Sequence, residues 1–412
     1  MIKYQIRQFY IASMLYFAGI TVWSATLNIY LKHVGYSYID INSFTALFFI
    51  ISFLTEIPSG ILSDSFGRKN AVLLSCLLRI VGLGLLCIPI QSFTLLMSAA
   101  VLTACSESLN SGALSAWIVD QVKNEDKNYP IETIFSNGSV YFTIMSMALG
   151  FLGAELLGPI QLVYPIFAGI FILVITMVYM QFLFKDTAIV RHQLFNKRLK
   201  KEYSEVYKSG TQFVKTNRLF AMICLGFLPT FVLLASPGEQ WSLYFIQFTR
   251  HGSQLIGFLW VLMAIAGIVG SKLAPRINRL RQNKAELLIA TLTANVLAIL
   301  GVSFAHNLYL AIILFLIHVM ITSVEAVIRQ TLLHNQIRGN SRNMLTSVFA
   351  AFESLITAVT LVIAGYLSDL YSIAWTWRLL GFFSLILAVP ILLLVRQKIN
   401  QQETEMSGID RE

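Results

Sequence analysis

Charge is what this sequence has least of. Lys, Arg, Asp and Glu make up 12% of its 412 residues, against 56% hydrophobic residues, where a soluble domain carries about 25% charge. So little polar surface cannot cover a water-exposed core of this size. That excludes an ordinary soluble enzyme, a nucleic-acid-binding module and a disordered chain. Cysteine is scarce as well. Cys76, Cys87, Cys105 and Cys224 all lie inside apolar runs and none forms a CxxC pair, so they read as small buried apolar residues, not disulfide or metal sites. There is no GxxxxGK[ST] phosphate loop, no HExxH, no GxSxG and no charge-dense voltage-sensor helix. These absences argue against direct use of ATP, against an enzyme, and against a cofactor or metal. Work done by such a chain would draw on an ion gradient or on the substrate's own gradient.

Long hydrophobic runs are what the sequence does have. With roughly 20 apolar residues needed per span, the runs near 9–31, 40–62, 70–90, 93–118, 133–156 and 160–184, then 219–247, 254–273, 285–304, 307–330, 343–368 and 374–395, predict twelve membrane helices. The first run follows Lys3 and Arg7 as a signal-peptide core would. It is too long for one and no small-residue cleavage site follows, so it is expected to remain as a helix. The predicted fold is an all-α membrane protein of two pseudo-symmetric six-helix bundles, 1–184 and 219–396. A cytoplasmic linker at 185–218, rich in Lys and Glu, joins them, and a cytoplasmic tail occupies 397–412. The linker is suited to lie near anionic headgroups. Two halves of similar length suggest a duplicated transporter with a site between them.

The positive residues orient the chain. If the N-terminus is cytoplasmic, 25 of the 30 Lys and Arg fall in inner segments. Lys32, Arg250 and Arg378 fall outside, and Arg79 and Arg329 fall within spans. This asymmetry predicts a multi-pass protein of the cytoplasmic membrane with both termini inside. It also accounts for the net charge of +9 without a nucleic-acid partner.

One passage is specific. After the second predicted span comes Glu56-Ile-Pro-Ser-Gly60-Ile-Leu-Ser-Asp64-Ser-Phe-Gly67-Arg68-Lys69. Gly60 is expected to let two helices approach closely, and Gly67 to permit a tight turn. Asp64 is an anion able to dock at a nearby helix N-terminus, and Arg68 and Lys69 are expected to hold the loop at the inner headgroups. The passage resembles the signature loop of the major facilitator superfamily, and the Glu-Ile-Pro-Ser-Gly prefix resembles its bacterial exporter-like, drug-efflux branch. The resemblance implies a transporter working by alternating access. It also implies that the loop latches the two halves, with Asp64 facing the start of the eleventh helix near Ser341 to Asn343.

The sequence departs from the family pattern in two places. The Arg that usually follows the Asp is Ser65 here, which leaves Asp120, in Ala116-Trp-Ile-Val-Asp120, to pair with Arg68. Many drug–proton antiporters carry an Arg four residues before a Gly in the fourth helix. Counting back from Gly112 gives Ser108, so that Arg is absent and the neighbouring Glu107 is a substitute proton site. Gly150-Phe-Leu-Gly153-Ala-Glu155-Leu-Leu-Gly158-Pro159 loosely resembles the glycine-rich antiporter motif. Its small residues equally suit plain helix packing, and Glu155 is expected to be solvated.

Ionisable groups at membrane depth are costly and point to function by default. In the first half Glu56, Arg79 and Glu107 are expected to cluster, with Asn110 nearby. The plainer alternative is a static pair that neutralises Arg79. In the second half Glu325 and Arg329, four residues apart, are expected to pair on one helix face. His318 reads as a satisfied histidine. Pro237-Gly238-Glu239 is expected to break the seventh helix, with Trp241 close by, and Glu353 is the proton-coupling candidate of this half. Tyr16, Trp23 and Asn28 are candidate cavity residues of the first helix. The function expected is proton-coupled export of small amphipathic molecules. The alternatives are an uptake symporter or facilitator for a metabolite and, in a different class, a membrane sensor that has lost transport. The partners expected are a small-molecule substrate, protons and membrane lipids, with the chain acting as a monomer.

Overall fold

The computed structural model describes residues 2–184, 218–248, 255–280, 284–336 and 342–388, and among these the regular structure is helical throughout. The expected linker 185–218, apart from Arg218, and the tail 397–412 lie outside the described residues. Apolar sequence favours helices in a bilayer because a helix satisfies every backbone N–H and C=O within itself. By contacts the chain divides into two compact units. One is Met1–Ser204 with Phe245–Val261, and the other is Glu205–Tyr244 with Leu262–Glu412.

Unit one begins with α1 (Ile2–Ser24) and α2 (Leu27–Val34), which meet at a bend of 45°. The sequence predicts a single first span over these residues. Gly35, at φ 113°, closes α2. Ser37 and Asp40 then form a reciprocal capping box that starts α3 (Tyr38–Phe66), satisfying two amides the helix itself cannot. Gly67 (φ 90°, ψ 143°) separates α3 from α4 (Arg68–Leu86), a conformation that only glycine adopts without strain. The fourth predicted span is two helices, α5 (Phe93–Ser111) and α6 (Ala113–Glu125), interrupted at Gly112. Next come α7 (Ile131–Leu152), continued by a π-turn at Gly153–Leu157, and α8 (Tyr164–Val178), continued by a π-turn at Tyr179–Leu183. The first π-turn sits where Gly153 passes the Val22 carbonyl of α1 so closely that a Cβ would collide with it.

Unit two contains most of α9 (Arg218–Phe245), the later part of α10 (Ile256–Leu280), α11 (Lys284–Phe304), α12 (Leu308–Gln336), α13 (Arg342–Leu370) and α14 (Ile373–Ala388). The sequence predicts a break at Pro237, but α9 runs unbroken through Pro229 and Pro237. Neighbouring groups can re-satisfy the carbonyl that a proline frees, which is why membrane helices tolerate it. Phe227 and Phe231 of α9 pack with Val324 and Ile328 of α12 and Phe349 of α13 to form an aromatic-rich core.

Among the described residues eight helices are single, long and apolar enough to cross a membrane, and joining the α1–α2 pair makes nine. Three of the twelve predicted spans fall short of that measure among the described residues. One is split at Gly112. Another, α9, has its side chains described only from Cys224 on, a stretch that carries Glu239 and Gln240 with Ser236 and Ser242. The third, Ile373–Ala388, is a shorter apolar helix.

Candidate functional site

In unit one the polar core forms around Arg79. This residue is on α4 and only 2% exposed. Its Nη2 is hydrogen-bonded to Glu107 of α5, and its Nε donates to Ser106 Oγ at 3.2 Å. Ser75, one turn earlier on α4, donates to the Ser106 carbonyl at 2.8 Å. Tyr16 of α1 places its hydroxyl 2.8 Å from Ser75 Oγ and 3.0 Å from Ser106 Oγ. The Phe48 ring of α3 lies 5.9 Å from the guanidinium carbon. Four helices thus converge on one cation. Removing a guanidinium from water without such partners would be prohibitive. The glutamate side of the pair is different, since the Glu107 side chain is 41% exposed.

The other candidates of this unit separate from that network. Asn110 is one turn beyond Glu107, and its Oδ1 is buried without a hydrogen-bond partner. Glu56 is exposed, so the predicted three-residue cluster reduces to Arg79 and Glu107. Trp23 is buried and donates to the Gly19 carbonyl of its own helix at 2.9 Å. Asn28 is half-buried on α2. Glu155, expected to be solvated, instead accepts from the Gly257 amide at 2.9 Å.

The signature loop shows a compact charge arrangement. Arg68 Nη1 lies 2.7 Å from Asp120 Oδ2, while Asp64 is 4.0 Å from the other nitrogen, Nη2. Lys69, expected at the headgroups, donates to the carbonyls of Gln181 at 3.0 Å and Phe184 at 3.3 Å, tying the loop to the end of α8. Gly60 was expected at a close helix contact, but a Cβ there would meet only open space. The expected partner stretch of Asp64, Ser341 to Asn343, lies outside the residues whose side chains the structure describes.

In unit two the acids and the arginine pair differently from the prediction. Glu325, on α12, is 2% exposed. Its Oε1 accepts from Thr230 Oγ1 of α9 at 2.6 Å, and its Oε2 is buried without a hydrogen-bond partner. Arg329, one turn further, makes its ion pair with Glu353 of α13, Nη2 lying 3.5 Å from Oε1. The Phe231 ring lies 5.1 Å from its guanidinium carbon. His318 is buried with Nδ1 2.5 Å from Asn295 Oδ1, and Asn295 Nδ2 donates to Thr322 Oγ1 at 3.1 Å. Near the end of α9, Glu239 is half-buried and Trp241 buried. Gln240 Oε1 accepts from Ser236 at 2.7 Å and from Ser368 at 3.2 Å. Sequence alone missed Ser75, Ser106 and Thr230, because a lone hydroxyl in an apolar run carries no signal of what faces it.

Among the described residues no group of three His, Cys, Asp or Glu could hold a metal ion. Among the described residues the arrangement offers two partly buried ion pairs and, at Glu325, an incompletely bonded carboxyl.

The comparisons agree on architecture. The family model for the Major Facilitator Superfamily matches residues 9–303. The chain is similar in structure to the nucleoside transporter NupG, with a TM-score of 0.75 at 11% identity over 94% of this chain and 98% of that one. It is also similar to a POT family transporter in complex with 5-aminolevulinic acid, with a TM-score of 0.67 at 16% identity over 95% and 96%. No curated protein matches the chain in sequence.

Proposed function

The chain belongs to the major facilitator superfamily, and from that premise we propose that it exports small amphipathic molecules in exchange for protons. Membership itself makes it a multi-pass membrane protein and a secondary transporter of a small-molecule substrate, not an enzyme. Export, proton coupling and the residues that serve them are the proposed part. The export direction rests on the Glu56-to-Gly60 prefix, which resembles the efflux branch. The cytoplasmic membrane, with both termini inside, rests on the placement of 25 of the 30 basic residues.

The observation that carries proton coupling is Glu325. It is buried in a membrane helix, one of its oxygens has no hydrogen-bond partner, and the nearest arginine on its own helix faces another acid. A carboxyl so placed is better accommodated neutral than charged. In this reading it takes a proton when its site is exposed to one side of the membrane and releases it when exposed to the other. Glu353 of the same unit, paired with Arg329 and partly exposed, is the candidate to meet the substrate. Asp64 acts as the latch, so Asp64→Asn lowers transport while the protein stays folded and inserted. Unchanged rates would remove the latch role.

A second reading, uptake of a small metabolite by symport or facilitation, draws on the similarity to a nucleoside transporter and to a POT family transporter holding 5-aminolevulinic acid. The deciding experiment is accumulation of a substrate panel in expressing cells, with and without a protonophore. Export predicts lower accumulation that rises to the control level when the protonophore is added. Higher accumulation abolished by the protonophore would establish uptake instead.

A further inference from the structure

Unit two carries an apolar groove of about 610 Å³ formed by α9, α13 and α14, within the volume range of small-molecule sites. Val232 and Leu380 are buried in it, and Leu355, Val359, Ile363 and Phe383 are exposed along it. Its lining along α13 extends from Leu355 to Leu367, twelve residue steps or about 18 Å at 1.5 Å per residue. Half the hydrocarbon thickness of a bilayer is roughly 15 Å, so the groove matches one extended acyl chain in length. Glu353 does not line the groove itself, but Ile356, which does, lies three residues after it, so along α13 the Arg329–Glu353 pair begins about one helical turn, roughly 5 Å, beyond the lining.

The pair is not closed. The Glu353 side chain is 38% exposed, that of Arg329 17%, and 3.5 Å separates their charged atoms. A ligand bearing only a cation would draw on Glu353 and leave Arg329 under-neutralised in a low-dielectric setting. A ligand bearing only an anion would do the reverse. A head carrying both charges meets both side chains and keeps the site neutral, the condition on which buried charge is tolerated.

We propose that this groove and ion pair together form a binding site for a single-chain zwitterionic amphiphile, the alkyl chain lying along α13 and the head resting on Arg329 and Glu353. This deepens the export reading by naming the substrate class, and it rests on that reading for the claim that the bound molecule is transported.

The test uses the full chain in phosphatidylglycerol nanodiscs, whose lipids carry no zwitterionic head. The probe is an alkylphosphocholine with a diazirine at the chain end, and the adducts are mapped by peptide mass spectrometry. Labelling is expected on α13 and α14 within the groove. Dodecylphosphocholine should compete about tenfold better than dodecyltrimethylammonium or dodecyl sulfate at equal mole fraction in the bilayer. Ile363→Trp, which fills the groove, should reduce labelling about fivefold. Val359→Phe fills it at another point and serves if the first variant is not monodisperse. Glu353→Gln should abolish the advantage of the zwitterionic competitor. Labelling spread over all exposed helix faces and indifferent to Ile363→Trp would mean ordinary surrounding lipid and overturn the site. Equal competition by the three heads would overturn the zwitterion assignment. Export is read separately by the accumulation assay. Groove labelling without export defeats the transport reading alone, and export without groove labelling defeats this inference alone.

Discussion

The two units treat buried charge in opposite ways. In unit one, Arg79 is held by Glu107, Ser106 and, through the hydroxyls of Ser75 and Tyr16, by three further contacts. Arg79 is bonded through two of its three nitrogens and the Ser75, Ser106 and Tyr16 hydroxyls bond one another, so this cluster is the more densely bonded of the two. In unit two, Glu325 has one hydroxyl partner and an unbonded oxygen, while Arg329 makes a looser 3.5 Å pair with an acid on another helix. Few bonds hold each charge there, and rearrangement would sacrifice little. A densely bonded network stabilises a fold. A sparsely bonded one leaves free energy for a proton or a ligand to supply, and for that reason the proposed chemistry is assigned to unit two.

The largest test of this contrast is Glu325→Gln. The amide keeps an acceptor for Thr230, so stability should change by less than about 1 kcal/mol, while proton-driven transport is abolished and substrate counterflow is retained. Intact driven transport in this variant would move proton coupling out of unit two. Glu107→Gln should act in the other way and destabilise the purified protein by about 2–3 kcal/mol. That lies below the 3–5 kcal/mol of a fully buried pair, because Glu107 is 41% exposed. The double variant Arg79→Met, Glu107→Met should recover most of this loss in thermal unfolding. If Glu107→Gln instead melts like the parent and loses only driven transport, the roles of the two units are exchanged. Tyr16→Phe removes one hydroxyl from a densely bonded network and should lower stability by about 1 kcal/mol, with counterflow unaffected. A loss of counterflow at unchanged stability would place Tyr16 at the substrate. Asp120→Asn should have the smallest effect, no more than about 1 kcal/mol, because the carboxylate beside Arg68 is 55% exposed. A larger drop would extend the rigid part of unit one to the signature loop.

Some of this was legible in advance and some was not, for identifiable reasons. Arg79 and Glu107 stand out because charge in a long apolar run is rare, and Arg68 with Asp120 because the loop has a recognisable pattern. Pro237 misleads, because a proline signals a break only where nothing else can satisfy the freed carbonyl, and α9 continues through it. Gly60 misleads likewise: glycine permits close approach but does not cause it. Arg329 has an acid four residues before it and pairs with Glu353 instead. Spacing along one helix says which side chains can meet, whereas the packing of α13 against α12 decides which do.

The linear sequence by itself determined the solvent this protein lives in, the helical character of its chain and the asymmetry of its basic residues. Those properties follow from local composition: a bilayer admits only backbone that is bonded within its own segment, and charge that can remain at its faces. Tertiary structure decided the partners. Tyr16 and Ser106 met Arg79, and Thr230 met Glu325, from elements remote in sequence. The α13 groove came to lie beside an ion pair in the same way. The energy of a buried charge depends on what surrounds it in three dimensions, and an apolar run does not encode its own neighbours.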